Sequence, residues 1–138
     1  MNADMFKSVM PVIAAAAVLA APASARPLFD PARPVTFVCT VSGAKSLSPA
    51  QVCAVFKREL DRMLARPTRA AAAWPARGNA VRIAVRFASP REVSAAATRR
   101  SAGKTTYVPE VTQDVMDKSA NLGDLELLAK QVARMIAA

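Results

Sequence analysis

Two cysteines, Cys39 and Cys53, have the clearest chemical potential in this sequence, and they are its only cysteines. Thiol pairs serve as redox centres, metal ligands or disulfides, and their spacing helps to distinguish these uses. Redox pairs usually have two residues between the thiols, whereas 13 residues separate these two. A metal site needs further ligands, and the chain contains no histidine. The pattern therefore predicts a structural disulfide.

Catalytic chemistry has little support in the other residues. Without histidine the chain lacks the usual general base near neutral pH, and its four glycines are too few for most cofactor loops. The carboxylates of Glu110, Asp114 and Asp117 are interpreted as solvated surface charges. Glu59 and Asp61 stand beside arginines and are predicted to form surface ion pairs. We expect no catalytic, cofactor-binding or metal-binding residues, and a hydrolase that uses surface carboxylates is a remote alternative.

The first 25 residues have the pattern of a secretory signal peptide. A single cation, Lys7, precedes an apolar run over residues 9–21. Ala23 and Ala25 then supply the small side chains that the signal peptidase requires, so we expect cleavage between Ala25 and Arg26. The apolar run is shorter than the roughly 20 residues of a membrane span, and we expect no stable span once it is removed.

Export would place the mature chain in the periplasm or outside the cell, where disulfides persist. The sequence has 19 Lys and Arg against 10 Asp and Glu, and cleavage removes one charge of each sign, so the net charge stays at +9. A charge of this sign favours anionic partners such as lipid headgroups, acidic polysaccharides or acidic proteins. An arginine-rich composition is also typical of GC-rich genomes, and this is the alternative explanation of the charge.

The mature chain is predicted to be one domain over residues 35–138, preceded by a flexible, proline-rich leader over residues 26–34. Apolar and polar residues alternate over 35–41 and over 80–89, which indicates two strands. Two further strands with weaker patterns are predicted over 92–99 and 105–116, and the alanine-rich residues 93–97 of the first are also compatible with a helix. The second of these contains Pro109, which indicates a bulge or a sheet edge. Residues 99–104 are predicted to form the hairpin turn between them.

Two helices have clear amphipathic stripes. Ser48, Pro49 and Gln51 form a capping box that begins the first helix, and Pro67 ends it. Asp124 is predicted to cap the second. The order β-α-β-β-β-α is typical of an α+β domain in which two helices cover one face of a small antiparallel sheet, here with one disulfide.

The segment over residues 67–79 is expected to be a linker between the first helix and strand 80–89. It contains Trp74, the only tryptophan in the chain. We expect this side chain to fold under the linker as a lid on the core, and a role in stacking on a ligand is the less favoured alternative.

Five arginines are candidates for contact with a partner. Strand 80–89 places Arg82 and Arg86 opposite its apolar face, on the side of the sheet that the helices would leave open. The first helix adds three more, Arg58, Arg62 and Arg66, which together with Arg69 follow one another at helical spacing and form a basic ridge near its end. Cations late in a helix also stabilise its dipole, which is a purely structural explanation of the ridge.

These features favour an exported, non-enzymatic binding or assembly module of the bacterial cell envelope, whose partner is an unknown envelope protein or an anionic polymer. The alternative is an electrostatic binder of anionic lipid or polysaccharide, whose binding would weaken with salt. Nucleic acid is not an expected partner, because the predicted open face offers no aromatic rings for base stacking and only Tyr107 lies in one of the weaker strands. The sequence predicts no cofactor and leaves the oligomeric state open.

Overall fold

The computed structural model describes residues 28–115 and 119–138. The predicted signal peptide and its cleavage site at Ala23, Ala25 and Arg26 lie outside the described residues. The elements, in chain order, are β1 (Val35–Ser42), α1 (Pro49–Leu64), β2 (Arg69–Ala71), β3 (Asn79–Ser89), β4 (Glu92–Ser101), β5 (Lys104–Asp114) and α2 (Leu122–Ala137).

The strands form one sheet in the order β2-β1-β3-β4-β5. β1 pairs in parallel with β2 and β3, because α1 returns the chain to the end of the sheet where β1 began. The β3–β4 and β4–β5 pairs are antiparallel hairpins. The predicted α+β class, with two helices packed on the sheet, is confirmed. The sheet itself is mixed, because two of its four strand pairs are parallel.

The hydrophobic core lies between the sheet and the two helices. One face of β1, β3 and β4 supplies alternate apolar side chains, and each helix contributes the stripe that its sequence predicts. The largest fully buried side chains are Val35, Val52, Phe56, Leu60, Val81, Ile83, Val85, Val93, Leu125, Leu128, Val132 and Ile136. This arrangement leaves the opposite face of the sheet without a helix.

Both helices begin with a capping box. At α1, Ser48 Oγ accepts the Gln51 N–H and Gln51 Oε1 accepts the Ser48 N–H, both at 3.1 Å, which confirms the prediction. At α2, the prediction that Asp124 caps the helix was wrong. Asn121 is the N-cap, and the Asp124 carboxylate accepts the Asn121 N–H at 2.9 Å from the third position of the helix. The helix starts earlier because Leu122 and Gly123 join its first turn.

Two loop predictions also need correction. The segment over residues 67–79 contains β2, whose three residues pair with residues 36–38 of β1. Its sequence, Arg-Ala-Ala, has no β-branched or aromatic residue, so propensity alone gave no sign of a strand. The hairpin turn between β4 and β5 is confined to Ala102 and Gly103, with φ of 53° and 75°. Arg99 and Arg100 therefore belong to β4 and not to the turn.

The β4–β5 pair has the irregularity that the proline in β5 predicts. The register of the pair shifts between Ala95 and Ala97, which face Val111 and Val108 respectively. The residue Pro109 lies in this bulge, on a strand that forms one edge of the sheet. A proline is tolerated there because it does not have to donate a ladder hydrogen bond.

The described part of the leader, residues 28–34, contacts the domain. Phe29 is 3% exposed and belongs to the core. Ser101 Oγ donates to the Leu28 carbonyl at 2.6 Å. The Arg66 guanidinium donates to the carbonyl of Asp30 at 2.9 Å and also to the carbonyl of Arg33. These contacts hold the end of α1 and the leader together.

The side chain of Asp61 joins the end of α1 to the start of β2. Its Oδ1 atom accepts the backbone N–H of Thr68 at 3.0 Å and the Thr68 hydroxyl at 2.6 Å. Its Oδ2 atom lies 2.8 Å from Lys57 Nζ. Thr68 is 5% exposed, so without this carboxylate its donors would be buried without a partner.

We expect Asp61→Ala to lower the free energy of unfolding by about 2 kcal/mol, because it leaves the Thr68 donors unsatisfied. Urea denaturation followed by circular dichroism measures the change. The matched control is Asp114→Ala, which removes an exposed carboxylate and should change stability by less than about 0.5 kcal/mol. Equal losses in the two variants would contradict the assignment of this contact.

Candidate functional site

The two cysteines form the predicted disulfide. Cys39 in β1 and Cys53 in α1 are bonded, with their Cα atoms 5.8 Å apart. Neither is a free thiol, so the chain holds no reduced cysteine in this state. The bond fixes α1 against β1 and has a structural role, as the spacing of the two residues predicts.

The open face of the sheet carries a patch of small side chains. Three neighbouring strands each contribute one residue to this patch, and the three residues are paired with one another across the sheet: Thr40 of β1, Ala84 of β3 and Ala96 of β4. Thr40 and Ala84 are exposed. Arg82 and Arg86 lie on either side of Ala84 along β3, so two arginines border the patch. Side chains this small allow the backbone of a partner to approach the sheet closely.

Trp74 also lies on the open face, and the prediction that it covers the core was wrong. The Cζ atoms of Arg82 and Arg100 are each 5.1 Å from the centroid of its ring. Arg100 further donates from Nε to the Gly78 carbonyl and from Nη2 to the Pro75 carbonyl, both at 2.8 Å. Two cation–π contacts and two hydrogen bonds therefore hold the loop after β2 on this face.

The loop divides the open face into two halves. In the half next to the loop, Val38, Ala80 and Thr98 are buried although no helix covers them. In the other half, Arg86 is exposed, and its Nη2 atom lies 3.4 Å from Oε1 of Glu110 in β5. The sequence did not predict this division. One indication of the division in the sequence is that Arg82 and Arg100 both occupy positions that alternate with core-facing residues. The two strands that carry them are neighbours in the sheet.

Three arginines of the predicted basic ridge, Arg58, Arg62 and Arg66, lie on or directly after α1, away from Arg82 and Arg86. The inclusion of Arg69 in the ridge was wrong, because Arg69 begins β2 and pairs with Thr36 of β1. The guanidinium groups of Arg58 and Arg62 lie 3.7 and 3.3 Å from Glu59 Oε1. Arg58 also contacts Glu126 of α2, at 3.9 Å. Glu59 is 3% exposed, so the prediction of a surface carboxylate at this position was wrong. The helical stripe places Glu59 beside Leu60, where two arginines neutralise its buried charge.

The three ridge arginines at α1 thus have intramolecular partners. Arg58 and Arg62 compensate a buried carboxylate, and Arg66 binds two carbonyl groups of the leader. These contacts account for the ridge as part of the folded structure. The five predicted partner-binding arginines therefore do not form one surface.

A groove lies between α1 and the β1–β2 edge of the sheet. It has a volume of about 280 Å³ and is lined by the disulfide, Phe37, Lys57 and small side chains. Its titratable group, Lys57, is bonded to Asp61. The groove therefore brings together no pair of groups for acid–base chemistry.

Across residues 28–115 and 119–138, no three His, Cys, Asp or Glu side chains are grouped so that they could hold a metal ion. The described helices include none with the length and apolar character needed to cross a membrane.

Comparison with known proteins gives a likeness of fold. No family model matches the sequence, and no curated protein matches it. Among solved structures, the PelC dodecamer from Paraburkholderia phytofirmans aligns with a TM-score of 0.59 and 13% identity, over 77% of this chain and 88% of that chain. A dodecamer of a point variant of that PelC aligns with a TM-score of 0.59 and 14% identity, over 83% and 96% of the two chains. The chain therefore shares its fold with PelC.

Proposed function

We propose that this chain is an exported, non-enzymatic binding module of the bacterial cell envelope and that it works as a homo-oligomer. The observation that carries the proposal is the one-sided sheet. Both helices pack on one face, and the other exposes small side chains between two arginines. An exposed sheet face of this kind is suited to receive a partner and offers no enclosed site for a reaction.

Two observations support export. The first 25 residues have the order of charge, apolar run and small residues that a signal peptide needs. The Cys39–Cys53 bond is of a kind that persists in oxidising compartments such as the periplasm. We therefore place the mature chain in the periplasm or outside the cell. The proposal that it is not an enzyme rests on the histidine-free sequence.

The fold supports the homo-oligomer. PelC, with the same fold, was solved as a dodecamer. Copies of this chain could meet at the two edges of the sheet, which are β5 on one side and β2 with residues 39–42 of β1 on the other. Sedimentation velocity of the oxidised mature chain, residues 26–138, tests this directly. A monomer at all accessible concentrations would overturn the oligomeric part of the proposal.

The open face is tested by capture from an envelope extract with the oxidised mature chain as bait. We expect Ala84→Arg to lower the amount of captured component by about tenfold or more, because a long cation at the centre of the exposed patch prevents close approach. The matched control is Ala54→Arg, which places the same side chain at an exposed position on α1. Equal capture by both variants would contradict the role of the open face.

The salt dependence of the same capture tests the electrostatic alternative. Washing at high salt screens exposed charges, so a partner held by charge alone is released from every variant. The helical ridge gives this alternative little support, since Arg58, Arg62 and Arg66 have intramolecular partners. A component that is lost with Ala84→Arg and kept by Ala54→Arg favours a site on the open face, whereas equal loss from all variants favours binding by net charge alone.

A further inference from the structure

The half of the open face next to the loop carries three arginines, two of which contact Trp74 and one of which lies two strands away from Arg82. Arg82 and Arg100 contact the Trp74 ring. Arg69 of β2 lies opposite Thr36 in the register and shares this face, and it is exposed. We call Trp74 with Arg69, Arg82 and Arg100 the arginine site.

Two guanidinium groups of the arginine site have no acidic partner within the part of the chain that is described. Arg82 contacts the Trp74 ring, and within residues 28–115 and 119–138 neither Arg82 nor Arg69 has a carboxylate oxygen within salt-bridge distance. On the same face, the carboxylate of Glu110 is bonded to Arg86 instead. The site thus carries positive charge that the described residues do not neutralise.

The Trp74 ring holds the Arg82 side chain in place before any ligand binds. The Arg82 Cζ atom lies 5.1 Å from the ring centroid, and the guanidinium N–H groups have no hydrogen-bond acceptor among the described residues, so they remain available as donors. A planar fork of N–H donors matches the two oxygens of a carboxylate. Because the side chain is already ordered, binding such an anion costs less conformational entropy than it would for a free arginine.

An exposed aromatic ring extends the arginine site along the sheet. Arg82, Thr98 and Tyr107 lie in one row across β3, β4 and β5. Arg82 and Tyr107 are therefore two strand spacings apart, about 10 Å between their Cα atoms. Tyr107 is 76% exposed, and its ring can pack on the apolar face of a sugar while its hydroxyl stays in water.

We propose that the arginine site and Tyr107 bind an acidic polysaccharide, with the sugar carboxylates on Arg82 and Arg69 and a sugar ring on Tyr107. This inference rests on the proposed function and names the class of ligand for its open face. A membrane surface fits less well, because the other exposed large apolar side chains are on or beside the helices. These are Met63, Leu122 and Leu127. Single-stranded nucleic acid fits less well, because one exposed ring gives little base stacking.

The single tryptophan gives a direct readout, since Trp74 lies within the site. The experiment titrates the oxidised mature chain with alginate oligosaccharides at low ionic strength and follows tryptophan fluorescence. We expect a saturable change with alginate and none with neutral dextran. Arg82→Gln and Arg69→Gln should each weaken binding by about tenfold. Because Arg69 is exposed on an edge strand, its variant keeps the test valid if Arg82→Gln fails to fold.

The matched control is Arg134→Gln, which removes one positive charge from an exposed position on α2. It should change the affinity by less than about twofold if the site, and not the net charge, binds alginate. Equal weakening by all three variants, the absence of saturable binding, or equally tight binding of anionic lipid vesicles or oligothymidine would overturn the inference. Capture of an envelope component that Ala84→Arg abolishes, without alginate binding, would overturn this inference alone and leave the proposed function standing.

Discussion

Replacing both cysteines, as Cys39→Ala with Cys53→Ala, should lower the free energy of unfolding by about 3 kcal/mol. The bond joins residues 14 apart in sequence, and a loop of about 15 residues loses chain entropy of this size in the unfolded state. Domains of this length have a total stability of about 5–15 kcal/mol, so the variant loses a large share of it. Urea denaturation followed by circular dichroism measures the loss.

A reductant supplies the control for the double replacement. The unmodified chain in its reduced form should lose nearly the same stability as the alanine variant, because both lack the same cross-link. The reductant should leave the stability of the alanine variant unchanged. A loss below about 1 kcal/mol in either experiment would contradict a stabilising role for the bond.

Replacing Gly43 with alanine should lower the free energy of unfolding by about 3 kcal/mol. Gly43 follows β1 with φ of +76°, a left-handed conformation that costs a residue with a side chain about 1 kcal/mol. A Cβ atom at this position would also lie 2.3 Å from the Phe87 carbonyl oxygen. That contact is too short to persist, so the turn or the end of β3 has to move, at a further cost of about 2 kcal/mol.

A second glycine separates the two contributions. Gly103 has almost the same φ, +75°, but a Cβ atom built there meets nothing within 4 Å. Gly103→Ala should therefore cost about 1 kcal/mol, the conformational part alone. The difference between the two variants in urea denaturation measures the contact with Phe87. Equal losses of unfolding free energy would show that the close approach of Gly43 to Phe87 does not add to the cost of the substitution.

Several features of this protein followed from local patterns of sequence. The alternation in residues 35–41 and 80–89 predicts β1 and β3, and the residues around Ser48 predict the start of α1 to the residue. These predictions succeed because periodicity and capping depend on neighbours in the chain, and neighbours are fixed by sequence. The cysteine pair was equally readable, because the absence of histidine and the long spacing left a disulfide as the favoured use.

The partners of charged and aromatic side chains followed from long-range packing. Trp74 contacts Arg100, which is 26 positions away, and Arg66 reaches the leader more than 30 positions before it. Such contacts depend on strand order, and no local pattern predicts that β1 lies between β2 and β3. The strand β2 shows the same limit, because its alanines become a strand through pairing with β1 and not through propensity.

The sequence by itself determined the α+β class, the disulfide and the apolar faces of the strands and helices, because each depends on residue type and spacing along the chain. Only the tertiary structure decided which arginines are available to a ligand. It assigned Arg58, Arg62 and Arg66 to partners within the molecule and placed Arg82 beside Trp74 on the open face. The physical reason is that the availability of a charge depends on what packs around it, which is set by contacts between residues far apart in the chain.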